Sequence, residues 1–133
     1  MKILLDTHAL VWWIFNEPQL CPLARQEISN SQNVIYVSSA SAWEIATKYR
    51  IGKMPEAQEL LANYTTILEQ CQFQELPITN QHALKAGLLT IEHRDPFDRM
   101  IMAQAELEKM AIITYDSAFH LEHLTVIPLP RSK

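Results

Sequence analysis

"KILLDTHALVWWIF", residues 2–15, changes its hydrophobic rhythm at a single acid. "KILLD", residues 2–6, is a near-continuous apolar run ending in Asp6, the pattern of a short strand buried on both faces of a parallel sheet. From about His8 to Phe15 the composition turns helical, so a strand feeds a helix at Asp6 and Thr7. A strand apolar on both faces needs other strands beside it and helices above and below.

Working outward, Pro22 suits the first turn of a helix in "PLARQEISN", and "VIYV" at 34–37 supplies a second strand. "SSASAWEIATKYRIGK", residues 38–53, reads as a serine-capped helix with Ala42, Ile45, Ala46 and Tyr49 on one face, closing near Gly52. Residues 56–71 read as another helix, 73–78 as a third short strand and 80–89 as a helix containing Gly87. Periodicity is weakest in the last two. The stretch 97–110 is helical by composition, "AIIT" at 111–114 is a strand, and 124–129 is an edge strand limited by Pro128. Alternating strands and helices in a chain of this size predict one α/β domain over residues 1–133, built on a parallel sheet. Ligands of such sheets bind beyond the carboxyl ends of the strands. Asp6 ends the first strand and Asp116 lies just past "AIIT", so both point to that edge.

Composition excludes several classes. With 133 residues, 48% of them hydrophobic, the chain can bury a real core. Its longest apolar run, "ALVWWIF", falls well short of the ~20 residues that cross a bilayer, so no membrane role is expected. Asp6 and His8 interrupt the N-terminal apolar stretch, which reads as fold and not as a signal peptide. Cys21 and Cys71 stand far apart outside any CxxC or Cys/His cluster, which argues against zinc and fits a reducing cytoplasm. Two glycines, Gly52 and Gly87, cannot build a phosphate-cradling loop. The formal charge of -4 is not that of a typical nucleic-acid binder, although bound cations would invert the local field.

All four aspartates, Asp6, Asp95, Asp98 and Asp116, fall at predicted strand ends or helix starts. Each has a local alternative. Asp6 can cap the next helix, and Asp116 in "TYDSAF" can open a turn or cap. Glu44 in "SAWE" matches a capping box from Ser41 and also faces Lys48 at i,i+4. Asp95 before Pro96 is the strongest capping candidate, which makes Asp98 the third residue of that helix. Capping alone does not gather acids at one end of a sheet. Several carboxylates in one cleft stay ionised only beside cations, and oxygen-only donors suit a hard divalent ion such as Mg²⁺. Phosphodiester hydrolysis is the chemistry this implies.

In order and spacing, "LLDTHALVWW", "SASAWEIATKYRIGK", "HRDPFDRMIMAQA" and "IITYD" resemble the PIN domain of VapC-type toxins from bacterial toxin–antitoxin pairs, over almost the whole chain. The resemblance implies a three-layer α/β/α sandwich with a central parallel sheet of about five strands. It further implies a Mg²⁺- or Mn²⁺-dependent endoribonuclease with Asp6, Glu44, Asp98 and Asp116 as catalytic and metal-site acids. Asp6 and Asp98 are the first candidates for direct ligation, with Glu44 and Asp116 on a second ion or acting through water. Thr114, two positions before Asp116, matches a threonine that supports that last acid, and Asp95 matches the first aspartate of a "DPFDR" form of the motif. An in-line attack by an activated water would leave 5′-phosphate and 3′-hydroxyl ends. Implied partners are RNA, a small antitoxin whose tail covers the cleft, and a second copy in a homodimer.

Neighbouring residues carry weaker expectations. Lys48, Arg50 and Lys53 either contact RNA phosphates or complement the dipole at a helix end. Arg94 and Arg99 are expected to restrain the acids by ion pairing, and His8 and His93 to be structural. Trp12, Trp13 and Trp43 read as core or dimer contacts. Two rival readings remain: a catalytically silent PIN-fold module that binds RNA or protein, and a receiver-type phosphotransfer domain, which the position of Glu44 fits poorly.

Overall fold

The structure, a computed structural model, describes residues 1–90, 95–114 and 126–128. Its strands are β1 (Lys2–Leu5), β2 (Val34–Ser38), β3 (Gln74–Leu76), β4 (Ala111–Thr114) and β5 (Val126–Pro128). Its helices are α1 (Thr7–Ile14), α2 (Pro22–Ser29), α3 (Ser39–Arg50), α4 (Gln58–Ala62), α5 (Tyr64–Gln70), α6 (Asn80–Leu88) and α7 (Pro96–Glu108). The strands form one parallel sheet in the order β3-β2-β1-β4-β5, as the near-continuous apolar runs require.

β1 is central, and Ile3, Leu4 and Leu5 are fully buried. Successive side chains alternate across the sheet and enter two separate cores. Ile3 and Leu5 join Ile35, Val37 and Ile113 under α1, α2, α4 and α5. Leu4 joins Ile112 under Ile101, Met102 and Ala105 of α7, against which α6 packs. The chain thus makes three layers. From β1 it runs outward to β2 and β3, then crosses back through α6 and α7 to β4 on the other side of β1. That reversal puts a switch point between β1 and β4, where the loops beyond the strands diverge and leave a crevice.

Three expectations change. The helix expected over 56–71 is a 3₁₀ turn at Pro55–Ala57 followed by α4 and α5. The break falls at Asn63, whose backbone leaves the helical region (φ -128°, ψ 27°) and whose side-chain amide donates to the Glu59 carbonyl. The cap of α3 is Ser38 and not Ser41: Ser38 Oγ accepts the Ala40 N–H at 2.9 Å. The apolar face drawn through Ala46 and Tyr49 is also displaced, because α3 buries Ala40, Ser41, Glu44 and Ile45 while Ala46 and Tyr49 are exposed. A buried glutamate is what shifts it.

Candidate active site

Asp6 follows β1 directly. Its backbone N–H donates to Ile113 O at 3.0 Å, extending the β1–β4 ladder by one residue beyond Leu5↔Ile113. The side chain is buried and doubly held: Oδ1 accepts the Ala9 N–H at 2.7 Å as the N-cap of α1, and Oδ2 accepts the Thr114 hydroxyl at 2.8 Å. Capping and a place at the candidate site are therefore compatible for Asp6. The positive end of α1 and a charge-assisted hydrogen bond both favour its ionised form. The Thr114 hydroxyl thus reaches across the ladder to the first acid; its expected support of Asp116 falls on a residue outside the described ones.

Glu44 is 2% exposed, in the second turn of α3. The capping-box alternative falls with Ser41, whose hydroxyl sits 3.0 Å from Thr7 Oγ1 and ties α3 to α1. The i,i+4 pairing holds, with Lys48 Nζ 2.6 Å from Glu44 Oε2. Among the described residues, Glu44 Oε1 is buried with no hydrogen-bond partner. Leaving a buried carboxylate oxygen unpaired costs about 1–3 kcal/mol or more, so such an atom in a folded protein calls for a cation or water. Hard oxygen donors with one orphaned oxygen fit a divalent cation such as Mg²⁺.

Asp98 enters from the third layer. Asp95 Oδ1 accepts the N–H groups of Phe97 at 2.9 Å and Asp98 at 3.2 Å, capping α7 ahead of Pro96. Asp98 sits half-buried in the first turn, where the helix dipole favours negative charge. Asp116 lies outside the described residues, as do His93 and Arg94. Among the described residues, no three His, Cys, Asp or Glu side chains lie close enough to form a metal-binding group. The fold brings Asp6 to the carboxyl end of β1 and places Glu44 and Asp98 on helices that start near that edge.

Lys48 is committed to Glu44, while Arg50 and Lys53 are exposed. Arg99 donates from Nε and Nη2 to the Ala86 carbonyl at 3.1 and 2.7 Å, and from Nη2 to Leu89 O at 2.8 Å. These contacts close the C-terminal end of α6, a role the sequence reading did not assign. His8 is exposed and meets the edge of Trp12 at 5.6 Å. Trp12 and Trp13 pack on the core, but Trp43 is 60% exposed and meets Phe97 edge to face at 4.8 Å. That pair lines an apolar cavity of about 210 Å³ between α3, α6 and the first turn of α7. Among the described residues no helix is long and apolar enough to cross a membrane.

The family model of the PIN domain matches residues 3–121. Ribonuclease VapC16 of Mycobacterium tuberculosis is 33% identical over 58 residues, which cover 44% of this chain and 41% of that protein, so the match spans less than half of either. Among solved structures, VapBC2 from Rickettsia felis bound to a promoter DNA fragment aligns over 96% of this chain and 98% of that one, with a TM-score of 0.71 at 18% identity. DNA-bound VapBC from Salmonella typhimurium covers 98% and 99% with a TM-score of 0.71 at 20% identity. FitAcB from Neisseria gonorrhoeae covers 93% and 95% with a TM-score of 0.65 at 20% identity. At such identities the likeness is one of fold, and it agrees with the five-stranded sheet and its two helical layers. The family match covers most of the chain and includes Asp6, Glu44, Asp98 and Asp116: this chain belongs to the PIN domain family.

Proposed function

We propose that this chain is a divalent-metal-dependent endoribonuclease that acts in the cytoplasm as the toxin of a toxin–antitoxin pair, with Mg²⁺ or Mn²⁺ as cofactor. The observation that carries the reading is Glu44, a buried carboxylate with one oxygen lacking a hydrogen-bond partner among the described residues, near the sheet edge where Asp6 also lies buried. The relative's name, Ribonuclease VapC16, and the VapBC and FitAcB complexes among the structural neighbours support the activity and an antitoxin partner. Asp6, Glu44 and Asp98, with Asp116, would hold the cation. When bound, it lowers the pKa of a water and offsets charge on the phosphate under attack. The chain's own groups prepare for that. Thr114 and the Ala9 N–H fix the Asp6 carboxylate, Lys48 fixes Glu44 through Oε2, and Asp95 sets the turn that presents Asp98. Arg50 and Lys53 are exposed cations available to RNA phosphates, whereas Lys48 would first have to leave Glu44.

Exposed Leu84 and Leu88, one turn apart on α6, and the neighbouring Trp43 and Ile78 are the kind of apolar surface that a protein interface covers, which supports a homodimer. The test of the main reading is cleavage of cellular RNA by antitoxin-free protein with Mg²⁺ or Mn²⁺. Undiminished cutting by Asp6→Asn and Asp98→Asn would overturn the site assignment. The alternative reading is a silent module that binds RNA or protein. That reading requires binding that survives chelation and no metal-dependent cleavage.

A further inference from the structure

We infer that Gln104, in the middle of α7, is a positioning residue that sets where Glu44 and Asp98 stand relative to each other. This rests on the nuclease reading above. Gln104 is fully buried and bonded to three separate elements. Its Oε1 accepts the hydroxyl of Ser38, the N-cap of α3, and its Nε2 donates to Pro77 O at 3.3 Å and lies 3.3 Å from His82 Nδ1.

The donor roles follow from the partners. Ser38 Oγ accepts the Ala40 N–H, so its own proton goes to Gln104 Oε1. His82 Nδ1 accepts the Thr79 N–H at 3.0 Å and therefore carries no proton; Nε2 carries it and faces Glu108 Oε1 at 3.4 Å. The result is one directed chain of donors and acceptors from Glu108 through His82, Gln104 and Ser38 to the first turn of α3. Its interior is sealed from water: Ser38 is 1% exposed and His82 2%. Losing the amide would leave the buried Ser38 hydroxyl without its acceptor, so the arrangement holds the helices in one register.

Both acids lie six residues from this junction, Glu44 along α3 from Ser38 and Asp98 along α7 from Gln104. At about 1.5 Å per residue each lever is about 9 Å long, so a tilt of about 5° at the junction moves a carboxylate by about 0.8 Å. A ligand constellation tolerates only about 0.5 Å.

The experiment compares wild type with Gln104→Leu, Ser38→Ala, Ser38→Thr and, as a stability control in the opposite core, Leu68→Ala. Three quantities are read: Mn²⁺ affinity by calorimetry, melting temperature, and the amide resonances of Glu44 and Asp98 in the metal-free protein. Gln104→Leu and Ser38→Ala should weaken Mn²⁺ binding about tenfold or more and move both resonances. Ser38→Thr should restore the wild-type values, and Leu68→Ala should lower melting as much while leaving affinity and resonances in place. The inference is overturned if Gln104→Leu melts early with unchanged Mn²⁺ affinity, or if Leu68→Ala weakens affinity equally. Should Gln104→Leu fail to fold, the Ser38 pair decides alone. If wild type neither binds Mn²⁺ nor cuts RNA, the nuclease reading fails, and the resonances still decide whether Gln104 couples the two helices.

Discussion

On the proposed function, Asp95 and Asp98, three residues apart, divide capping and chemistry between them, and their variants should separate. Asp95→Ala removes the acceptor of the Phe97 and Asp98 N–H groups and a charge at the start of α7. Loss of a cap costs about 1 kcal/mol, and loss of the dipole attraction about 0.5 kcal/mol more. With about 2.1 cal/mol/K of unfolding entropy per residue, a chain of 133 residues loses about 5 °C of melting temperature for that cost. Asp98→Asn keeps the cap and forfeits its own attraction to the helix end, which by the same arithmetic is worth about 2 °C. Activity should run the other way. Asp98→Asn should reduce metal-dependent RNA cleavage to background, while Asp95→Ala retains it with at most a several-fold loss from a looser first turn. Calorimetry and a cleavage assay on matched preparations read both effects. Equal loss of cleavage in both variants, with both folds intact, would refute the division.

Thr114→Val deletes the donor to Asp6 Oδ2 at nearly constant volume; a hydrogen bond to a buried charge is worth about 1.5–3 kcal/mol, so melting should fall by about 5–10 °C and cleavage with it, and Thr114→Ser should restore both. Tyr64 gives a test remote from the site. Burial, then the charge of Glu75, raise its phenol well above the ordinary 10.0. The folded state therefore holds this proton more tightly than the unfolded chain, so the contribution is fully present below about pH 10 and lost as pH rises through the folded value. Tyr64→Phe should flatten that alkaline loss in pH-dependent melts and, because the hydroxyl is buried without a hydrogen-bond partner among the described residues, cost little stability at neutral pH.

Features readable in the sequence are those decided locally. Continuous apolar runs announce β1 and β4, and Asp95 before Pro96 announces a cap because proline constrains both residues. Non-local contacts decide the rest. Serines stand at 38, 39 and 41, and which of them caps α3 depends on where β2 stops; pairing of Ser38 with Leu76 of β3 carries the strand that far. The face of α3 was misdrawn because amphipathic reasoning turns glutamate toward water, whereas Glu44 points in and takes Ser41 and Ile45 with it. Thr114 meets Asp6 across 108 residues, a contact implied only once Leu5 is known to stand opposite Ile113. Gln104 did leave a trace. It is one polar residue inside the apolar run "MIMAQA", on the buried side of a helix.

Each described acid of the candidate site is held by its own contacts, and under the proposed function this bears on how a ligand can enter. Asp6 has the start of α1 and the Thr114 hydroxyl, and Asp98 has the start of α7; both compensations come from the fold and stay in place when charge arrives. Glu44 instead leans on the Lys48 ammonium, whose side chain is 34% exposed and can swing toward solvent. Two of the three acids are thus prepared by rigid dipoles and one by a movable cation. Glu44 would offer a divalent ion Oε1, which has no hydrogen-bond partner among the described residues, while Oε2 is held by Lys48, so binding would require sharing the carboxylate with Lys48 or displacing it. Displacement would release a lysine at the rim of the site just as a phosphate needs a counter-charge. The i,i+4 pair that looked like ordinary helix stabilisation is then the adjustable part of an otherwise fixed site.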